Sequence, residues 1–287
     1  MSVMTELREM ALGLAARFSI PKIAGIVFPA VGESGQPGDC AADACRFMAM
    51  ALDGGAGGIS YLLLPDDSVA DYRTLQPRSF VGTRPEKYAE AFGTSDPVRD
   101  MLGLAAINAI CQHVMRVTGR VPENAADSLG LMNIAEGDRV GMVGFFPPLV
   151  RYMRDSRAEL VIVEKKAELV DRFPDLQVTL DVSALQGCNK ILCTGTTVLN
   201  DTLDEVLAHC RNAEHVSVLG PTAGYFPDPL FARGVHVLGG RFVDDATLLL
   251  KLISEGRKWG EATRKLCFEA DGYQGIDDLV RQASSGC

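Results

Sequence analysis

The chain has 287 residues, of which 47% are hydrophobic and 23% are charged, so it can bury a large core in one or two domains. This composition excludes a disordered chain, a collagen-like repeat and a small disulfide scaffold. With 28 Lys and Arg against 37 Asp and Glu, the net charge of -9 disfavours nucleic acid as a partner. No apolar stretch approaches the roughly 20 residues of a membrane span, and residues 1–21 lack signal-peptide features. We therefore expect a cytoplasmic protein without a membrane partner.

Residues 1–119 predict a small α+β domain. The Gly-rich residues 53–58 separate two apolar runs, which is typical of a hairpin with a long turn. Proline at the start of two later segments indicates helices. The predicted elements are, in chain order, a helix at 4–18, a strand at 22–31, hairpin strands at 46–52 and 59–64, and helices at 85–92 and 97–118.

A predicted linker at residues 120–137 leads to a second domain at 138–287, in which short apolar strands alternate with helices. The predicted strands are 139–145, 159–164, 189–193, 215–219 and 235–238, and the predicted helices are 148–155, a helix with the stripe Leu203, Val206, Leu207 and Cys210, and 244–255. This alternation predicts the α/β class, with a Rossmann-like, doubly wound parallel sheet. Ligands of such sheets bind at the carboxyl ends of the strands.

The first strand of the second domain ends where a dinucleotide-binding domain has its glycine-rich turn. Here the sequence is Gly144-Phe145-Phe146-Pro147-Pro148, and the two prolines remove backbone donors that would bind a pyrophosphate, which disfavours an ordinary NAD site. Glu164 nevertheless follows the next strand, 20 residues after Gly144, where nucleotide-binding folds place an acidic residue on the ribose hydroxyls. The alternative is that Glu164 only closes the edge of the strand.

The strongest local signal is the run Thr194-Gly195-Thr196-Thr197-Val198-Leu199-Asn200 between a strand and a helix. Hydroxyl groups and a glycine before a helix offer donors to an anion or a polar ligand. Capping alone is the alternative, because residues 202–205 fit a capping box. Gly220-Pro221-Thr222 follows the next strand, and we expect it to form the opposite wall of one cleft, although turn chemistry also explains it.

Asn108 is a polar residue within the run of small residues at 103–109, in the last predicted helix of the first domain. Small side chains permit close packing of the helix, which is one interpretation of the run. The other is that Asn108 faces the cleft between the domains, and its hydrogen-bond partner would decide between them.

A metal site made only of protein side chains is disfavoured. The eight cysteines are dispersed, and Cys188 and Cys193 would point to opposite faces of a strand. The four histidines form no i, i+4 pair. Glu33, Asp39 and Asp43 crowd a Gly-rich loop, for which a solvated acidic loop is favoured over a hard-cation site. Without a nucleophile elbow, a P-loop or an obvious catalytic triad, no catalytic residue is assigned, and whether the protein is an enzyme stays open.

Three strings within residues 139–258 carry a resemblance to a known family. They are VGFFPPL at 143–149, CTGTTVLNDTL at 193–203, and LGPT at 219–222 followed by PLF at 229–231. On these strings the second domain resembles the putative heavy-metal chelation domain, a Rossmann-like family of poorly defined function. The first domain, through residues 103–109 and GGISY at 57–61, resembles the companion domain of that family, which has an enolase N-terminal-like fold.

The resemblance implies a site at the junction of the two domains, and a metal ion or a metal complex as the cofactor. This sequence departs from the family pattern at residues 223–226 (AGYF), which implies a different ligand specificity. Because the Cys and His residues are dispersed, a metal held mainly by a bound organic molecule would reconcile the sequence with the family name.

The leading hypothesis is a binding protein or enzyme that holds a small anionic or metal-chelating molecule, or its metal complex, in the interdomain cleft. The residues predicted to line the site are Thr194, Gly195, Thr196, Thr197, Asn200, Gly220, Pro221, Thr222, Gly144, Phe145, Pro147 and Asn108. The second hypothesis is an enzyme that uses S-adenosylmethionine or NAD, with Glu164 on the ribose. The third is a non-catalytic scaffold protein. Broad apolar faces on both domains favour a homodimer.

Overall fold

A computed structural model describes residues 1–32, 45–122, 130–165, 167, 170, 175–278 and 281. The acidic-loop residues Glu33, Asp39 and Asp43 lie outside the described residues. Across the described ranges, no helix is long and apolar enough to cross a membrane.

The N-terminal part of the chain forms an antiparallel sheet, with strand order β1-β2-β3, and helices that pack against it. The elements are α1 (Val3–Arg17), β1 (Ile23–Val27), β2 (Phe47–Leu52), β3 (Gly57–Tyr61), α2 (Val69–Thr74), α3 (Glu86–Ala89) and α4 (Pro97–Val117). β1 is shorter than the strand predicted at 22–31, because Pro29 has no backbone N–H and cannot donate to the sheet.

The C-terminal part forms a seven-stranded sheet. Its elements are β4 (Arg139–Val143), α5 (Pro147–Ser156), β5 (Glu159–Val163), β6 (Gln177–Thr179), β7 (Lys190–Thr194), α6 (Thr196–Leu199), α7 (Leu203–Ala208), β8 (His215–Leu219), α8 (Asp228–Phe231), β9 (Val237–Val243), α9 (Ala246–Ser254) and β10 (Thr263–Glu269). The predicted α/β class with a Rossmann-like sheet is confirmed.

The order of the strands is β10-β9-β8-β7-β4-β5-β6, and all pairs are parallel except β9 with β10. Counted from β4, the six parallel strands have the order 3-2-1-4-5-6, which is the order of the nucleotide-binding doubly wound fold. The strand order reverses between β4 and β7. Ligands of open α/β sheets bind at this switch point, at the carboxyl ends of the strands.

Two strands of this sheet were not predicted, and one was misplaced. β6 has only three residues, and β10 forms an edge whose consecutive Arg264 and Lys265 break the alternation of polar and apolar residues. β9 begins at Val237 and continues to Val243, whereas the predicted strand ended at residue 238. The prediction ended too early because Gly239 and Gly240 interrupt the apolar pattern of the sequence. β10 extends the sheet beyond β9, and β6 extends it beyond β5.

Helix α4 is the central helix of the molecule. Asp96 accepts hydrogen bonds from the backbone N–H groups of Val98 and Arg99 and so caps its start. The helix is buried on nearly all sides, as expected for one that is apolar around its circumference. It lies directly on β3, where a Cβ atom added to Gly58 would stand 2.0 Å from the carbonyl oxygen of Ala105. Only glycine permits this approach.

The other face of the three-stranded sheet is covered by α9, from the C-terminal part of the chain. Leu249, Leu252 and Ile253 of α9 share one apolar cluster with Phe47 and Ile59 of the sheet. Next to this contact, a Cβ atom added to Gly57 would stand 2.9 Å from Cγ1 of Val243. The small sheet is therefore enclosed between α4 and an element of the C-terminal part.

Candidate functional site at the carboxyl ends of the strands

Three loops that follow neighbouring strands meet at one edge of the parallel sheet. Gly144 follows β4, Gly195 follows β7, and Gly220 follows β8. The backbone N–H of Gly195 donates to the carbonyl oxygen of Leu219 at 2.8 Å, and a Cβ atom added to Gly144 would stand 2.9 Å from Cγ2 of Thr194. The loops of residues 144–147, 194–200 and 220–222 thus lie together at the switch point of the sheet.

The hydroxyl groups of the Thr194–Asn200 loop differ in their availability. Thr194 and Thr196 share a hydrogen bond of 3.0 Å between their Oγ1 atoms, and both side chains are half-buried. Thr197 is buried, and its hydroxyl donates to the carbonyl oxygen of Thr194 at 2.7 Å. Its hydrogen therefore serves the turn itself, whereas the hydroxyls of Thr194 and Thr196 bond to each other.

The structure contradicts the capping box. Thr202 precedes α7 but makes no side-chain capping bond, and its hydroxyl donates instead to Oδ1 of Asn200 at 2.5 Å. Because that bond holds the Asn200 side chain against its own loop, Asn200 stabilises the turn between α6 and α7.

Thr222 has the most unusual environment of the predicted site residues. Its side chain is 2% exposed, and its hydroxyl Oγ1 has no hydrogen-bond partner among the described residues. This oxygen lies against the strand ends, since a Cβ atom added to Gly195 would stand 2.8 Å from it. A buried hydroxyl without a partner destabilises the folded chain, and each such group in a native structure calls for an explanation.

Asn108 of α4 is fully buried and has its partners in two parts of the chain. Its Nδ2 donates to the carbonyl oxygens of Ile59 at 2.7 Å and of Thr222 at 2.9 Å, and its Oδ1 accepts from the N–H of Gly224 at 3.1 Å. Both amide hydrogens are used within the protein. Asn108 therefore connects β3, α4 and the loop after β8.

Four further predicted residues lie around the same edge. Gly144 has a φ of +82°, a conformation that favours glycine, and its N–H donates to the carbonyl oxygen of Val163 at 3.0 Å. Phe145 is half-buried, and Pro147 is exposed at the start of α5. Glu164 follows β5, and its carboxylate accepts from the N–H of Lys165 at 3.1 Å. Since β5 pairs with β4 on the side away from β7, Glu164 lies one strand beyond Gly144 along this edge of the sheet.

Sequence reasoning missed a pocket at the opposite edge of the sheet. It is lined by His215, His236, Leu131, Val237, Glu269, Ala270 and Asp271. The rings of His215 and His236 are stacked, with centroids 5.3 Å apart and planes inclined by 20°. Burial lowers the pKa of His215, and His236 and Lys190 lower it further. The only sequence signal was that each histidine lies at the start of a strand.

Protein side chains alone do not fit a metal ion in the described part of the chain. No three His, Cys, Asp or Glu residues there are arranged to hold one. The two stacked imidazoles of the pocket have nearly parallel planes, whereas a shared metal must lie in the plane of each ring. Burial raises the pKa of the Cys111 and Cys210 thiols to about 12, so the thiolate that a metal would need is disfavoured.

Comparisons with known proteins give the family. Residues 127–270, half of the chain, match the sequence profile of DUF364, which is described as putative heavy-metal chelation. The chain belongs to this family. An uncharacterized protein of Methanocaldococcus jannaschii is 28% identical over 190 residues, which is 65% of this chain and 72% of that relative.

Two solved DUF364 structures share the fold. The protein of unknown function from Pyrococcus horikoshii has a TM-score of 0.66 at 19% identity, and the alignment covers 93% of this chain and 99% of that protein. The protein from Desulfitobacterium hafniense has a TM-score of 0.65 at 20% identity and covers 92% and 98%. The similarity therefore extends over the N-terminal part of the chain as well as the DUF364 region.

Proposed function

We propose that this DUF364 protein binds a small anionic or metal-chelating molecule at the carboxyl ends of β4, β7 and β8. The observation that carries the proposal is the buried hydroxyl of Thr222, which has no hydrogen-bond partner in the described part of the chain and lies against Gly195 at the switch point of the sheet. A ligand that hydrogen-bonds to this oxygen would remove the energetic cost of leaving it unpaired. Thr194 and Thr196, which flank Gly195 in the chain, supply two more hydroxyls.

The proposed ligand brings its own metal-coordinating groups. The family description points to heavy-metal chelation, whereas the described His, Cys, Asp and Glu side chains form no metal site. A chelate held through its organic part satisfies both observations. In this arrangement the hydroxyl groups orient the organic molecule, Phe145 and Pro147 contact its apolar part, and the protein need not contribute a ligand to the metal.

The replacement Thr222→Val tests the proposal, because valine has the shape of threonine without its hydroxyl. Calorimetric titration and thermal unfolding with citrate, with Ni²⁺ and with the nickel–citrate complex compare the anion, the metal and the chelate. We expect citrate or its complex to bind the natural chain and Thr222→Ser, and to bind Thr222→Val at least about tenfold more weakly, as for the loss of one hydrogen bond. Equal affinity in Thr222→Val, or no binding by any of the three probes, would contradict the proposal.

Thr222→Val also has a diagnostic effect on stability. Removing a buried, unpaired hydroxyl leaves the folding free energy unchanged or improves it by about 1 kcal/mol. Lost binding together with undiminished stability would therefore separate a ligand contact from a structural residue.

A second candidate function is an enzyme that uses S-adenosylmethionine or NAD. The strand order 3-2-1-4-5-6, with Glu164 directly after the second of these strands, favours it, because this is the position of the acidic residue that binds ribose hydroxyls. A cofactor at about 100 times its dissociation constant stabilises a protein by roughly 2.7 kcal/mol. We expect this stabilisation to be lost in Glu164→Ala and kept in Glu159→Ala, which changes an exposed carboxylate at the other end of β5.

A further inference from the structure

One side chain of α4 bonds two main-chain groups of the loop that carries Thr222. Asn108 donates to the carbonyl oxygen of Thr222 itself and accepts from the N–H of Gly224, two residues later. Its second amide hydrogen is bonded to the carbonyl oxygen of Ile59 on β3. The backbone from the Thr222 carbonyl to the Gly224 N–H, directly after the unpaired hydroxyl, is therefore held by a residue that lies outside the DUF364 match.

The loop after Thr222 is also closely packed. A Cβ atom added to Gly240 would stand 2.0 Å from the carbonyl oxygen of Ala223, and one added to Gly224 would stand 2.5 Å from Nε2 of Gln112. The loop thus lies closely between β9 and α4. When α4 is in place, these contacts hold the backbone of residues 222–224, to which the Thr222 side chain is attached.

We propose that Asn108 is a positioning residue, which holds the Thr222 hydroxyl towards the strand ends and thereby lets α4 set the ligand affinity of the site. This inference rests on the proposed function, and it assigns the N-terminal part of the chain a role in binding. Asn108 itself does not touch the ligand, because both of its amide hydrogens already have protein partners.

Gln112 provides a matched control for Asn108. It lies one turn farther along α4, is also buried, and also uses its amide to bond main-chain groups of the C-terminal part. Its hydrogen-bond partners, however, are Arg241 and Val243 on β9, and it meets the Thr222 loop only through its packing against Gly224. Replacing either side chain by alanine disturbs the contact of α4 with the C-terminal part, whereas only Asn108→Ala removes hydrogen bonds to the backbone of the Thr222 loop.

The first measurement is hydrogen exchange in the full chain. Asn108→Ala is expected to speed amide exchange in residues 220–226, and Gln112→Ala to speed it in residues 241–243, since Val243 donates its N–H to Gln112. Equal acceleration of residues 220–226 by the two variants would overturn the positioning role. This measurement needs no ligand, so it decides about Asn108 even where the proposed function fails.

The second measurement is a double-mutant cycle on nickel–citrate affinity by titration calorimetry. We expect Asn108→Ala to weaken binding about tenfold and Gln112→Ala less than about twofold. Only Asn108→Ala removes the hydrogen bonds that hold the backbone of the Thr222 loop, so that the Thr222 hydroxyl is no longer held in position for the ligand. In the Thr222→Val background, Asn108→Ala should cause no further loss, since its effect passes through Thr222. Additive losses would overturn the inference. Should Asn108→Ala fail to fold, Asn108→Ser, which keeps a hydroxyl at the position, takes its place in both measurements.

Discussion

The side-chain amide of Gln112 takes the place of a neighbouring strand beside Val243. Its Oε1 accepts from the backbone N–H of Val243 at 2.8 Å, and its Nε2 donates to the carbonyl oxygen of Arg241 at 2.9 Å. β8 pairs with β9 only over residues 237–239, so among the described strands none pairs with Arg241 or Val243 on that side. A helix side chain thus completes the hydrogen bonding of the sheet and fixes α4 against it.

Gln112→Leu is expected to lower the free energy of unfolding by about 2–4 kcal/mol, because two buried main-chain groups lose their partners. Chemical denaturation measures the change. Gln112→Glu keeps the acceptor for Val243 but loses the donor to Arg241, and it buries a carboxyl group. A loss below about 0.5 kcal/mol in Gln112→Leu would show that water replaces the amide.

The contact of Gly58 with α4 predicts a severe effect of one methyl group. In Gly58→Ala, the new Cβ would stand 2.0 Å from the carbonyl oxygen of Ala105 and 2.6 Å from the amide nitrogen of Ala109. Both are backbone atoms, so the whole helix must move, and we expect a loss of at least about 3 kcal/mol or no folded protein. Thermal unfolding provides the measurement.

Gly13→Ala is the control for this substitution. Gly13 is exposed within α1, with no heavy atom within 4 Å of an added Cβ. Here the alanine should stabilise the protein by up to about 1 kcal/mol, through its higher helix propensity. Similar effects of the two substitutions would be inconsistent with the close packing of α4 on β3.

The parallel sheet could be predicted from sequence because its central strands are short apolar runs, such as β4, β5 and β8. The meeting of the loops that form the candidate site followed from topology, since the carboxyl ends of neighbouring parallel strands must share an edge. The edge strand β10 escaped prediction because its pairing with β9 depends on a tertiary contact and its own pattern is weak.

The roles of individual site residues depend on contacts that no sequence window contains. Asn108 was noticed as a polar residue on an apolar helix, but Thr222, whose carbonyl it binds, lies 114 positions away. The unpaired state of the Thr222 hydroxyl is likewise a property of the packed molecule. Conversely, the hydroxyl of Thr197 looked available in the sequence and is used by the turn.

Cysteine reactivity tests whether soft metals have access to protein thiolates. Burial raises the pKa of Cys111 and Cys210 to about 12 and that of Cys193 well above its usual range. We therefore expect these three thiols to stay unlabelled by a thiol reagent at pH 8 in the native protein and to react after denaturation. Peptide mass mapping identifies each site. Rapid labelling of Cys193 in the native protein would contradict the prediction that this thiol is buried and protonated, and would favour a metal site that includes its thiolate.

The stacked histidines predict a loss of stability in mild acid. Burial lowers the pKa of His215 below its ordinary value of 6.5, so the unfolded chain binds this proton more readily than the folded chain. Its contribution to stability is present above about pH 6.5 and falls as the pH drops through the folded pKa. The slope of unfolding free energy against pH, between about pH 7 and 5, should decrease in His215→Gln.

His113 provides the comparison for His215. Burial also lowers its pKa, so His113→Gln should reduce the same slope, and the double variant should reduce it further. Slopes in His215→Gln identical to that of the natural chain would show that the His215 proton is not coupled to folding.

Arg233 joins the first helix to the C-terminal part through a group of acceptors. It bonds both carboxylate oxygens of Glu6, at 2.8 and 2.9 Å, and Oδ1 of Asp204 at 2.7 Å. The hydrogen bond from Arg233 lowers the pKa of Glu6 below its ordinary value of 4.5. Because the folded pKa is the lower one, this stabilisation is present above about pH 4.5 and is lost as the pH falls through the folded pKa.

Arg233→Lys should destabilise the protein by about 1–2 kcal/mol at neutral pH, because lysine cannot make the two parallel bonds to Glu6. Arg233→Met should in addition flatten the acid dependence of unfolding below about pH 4.5, since the pKa of Glu6 then returns towards its ordinary value. The control is Arg257→Met, which breaks an exposed pair with Glu255 and should change stability by less than about 0.5 kcal/mol. An unaltered acid slope in Arg233→Met would mean that Glu6 is not held by this contact in solution.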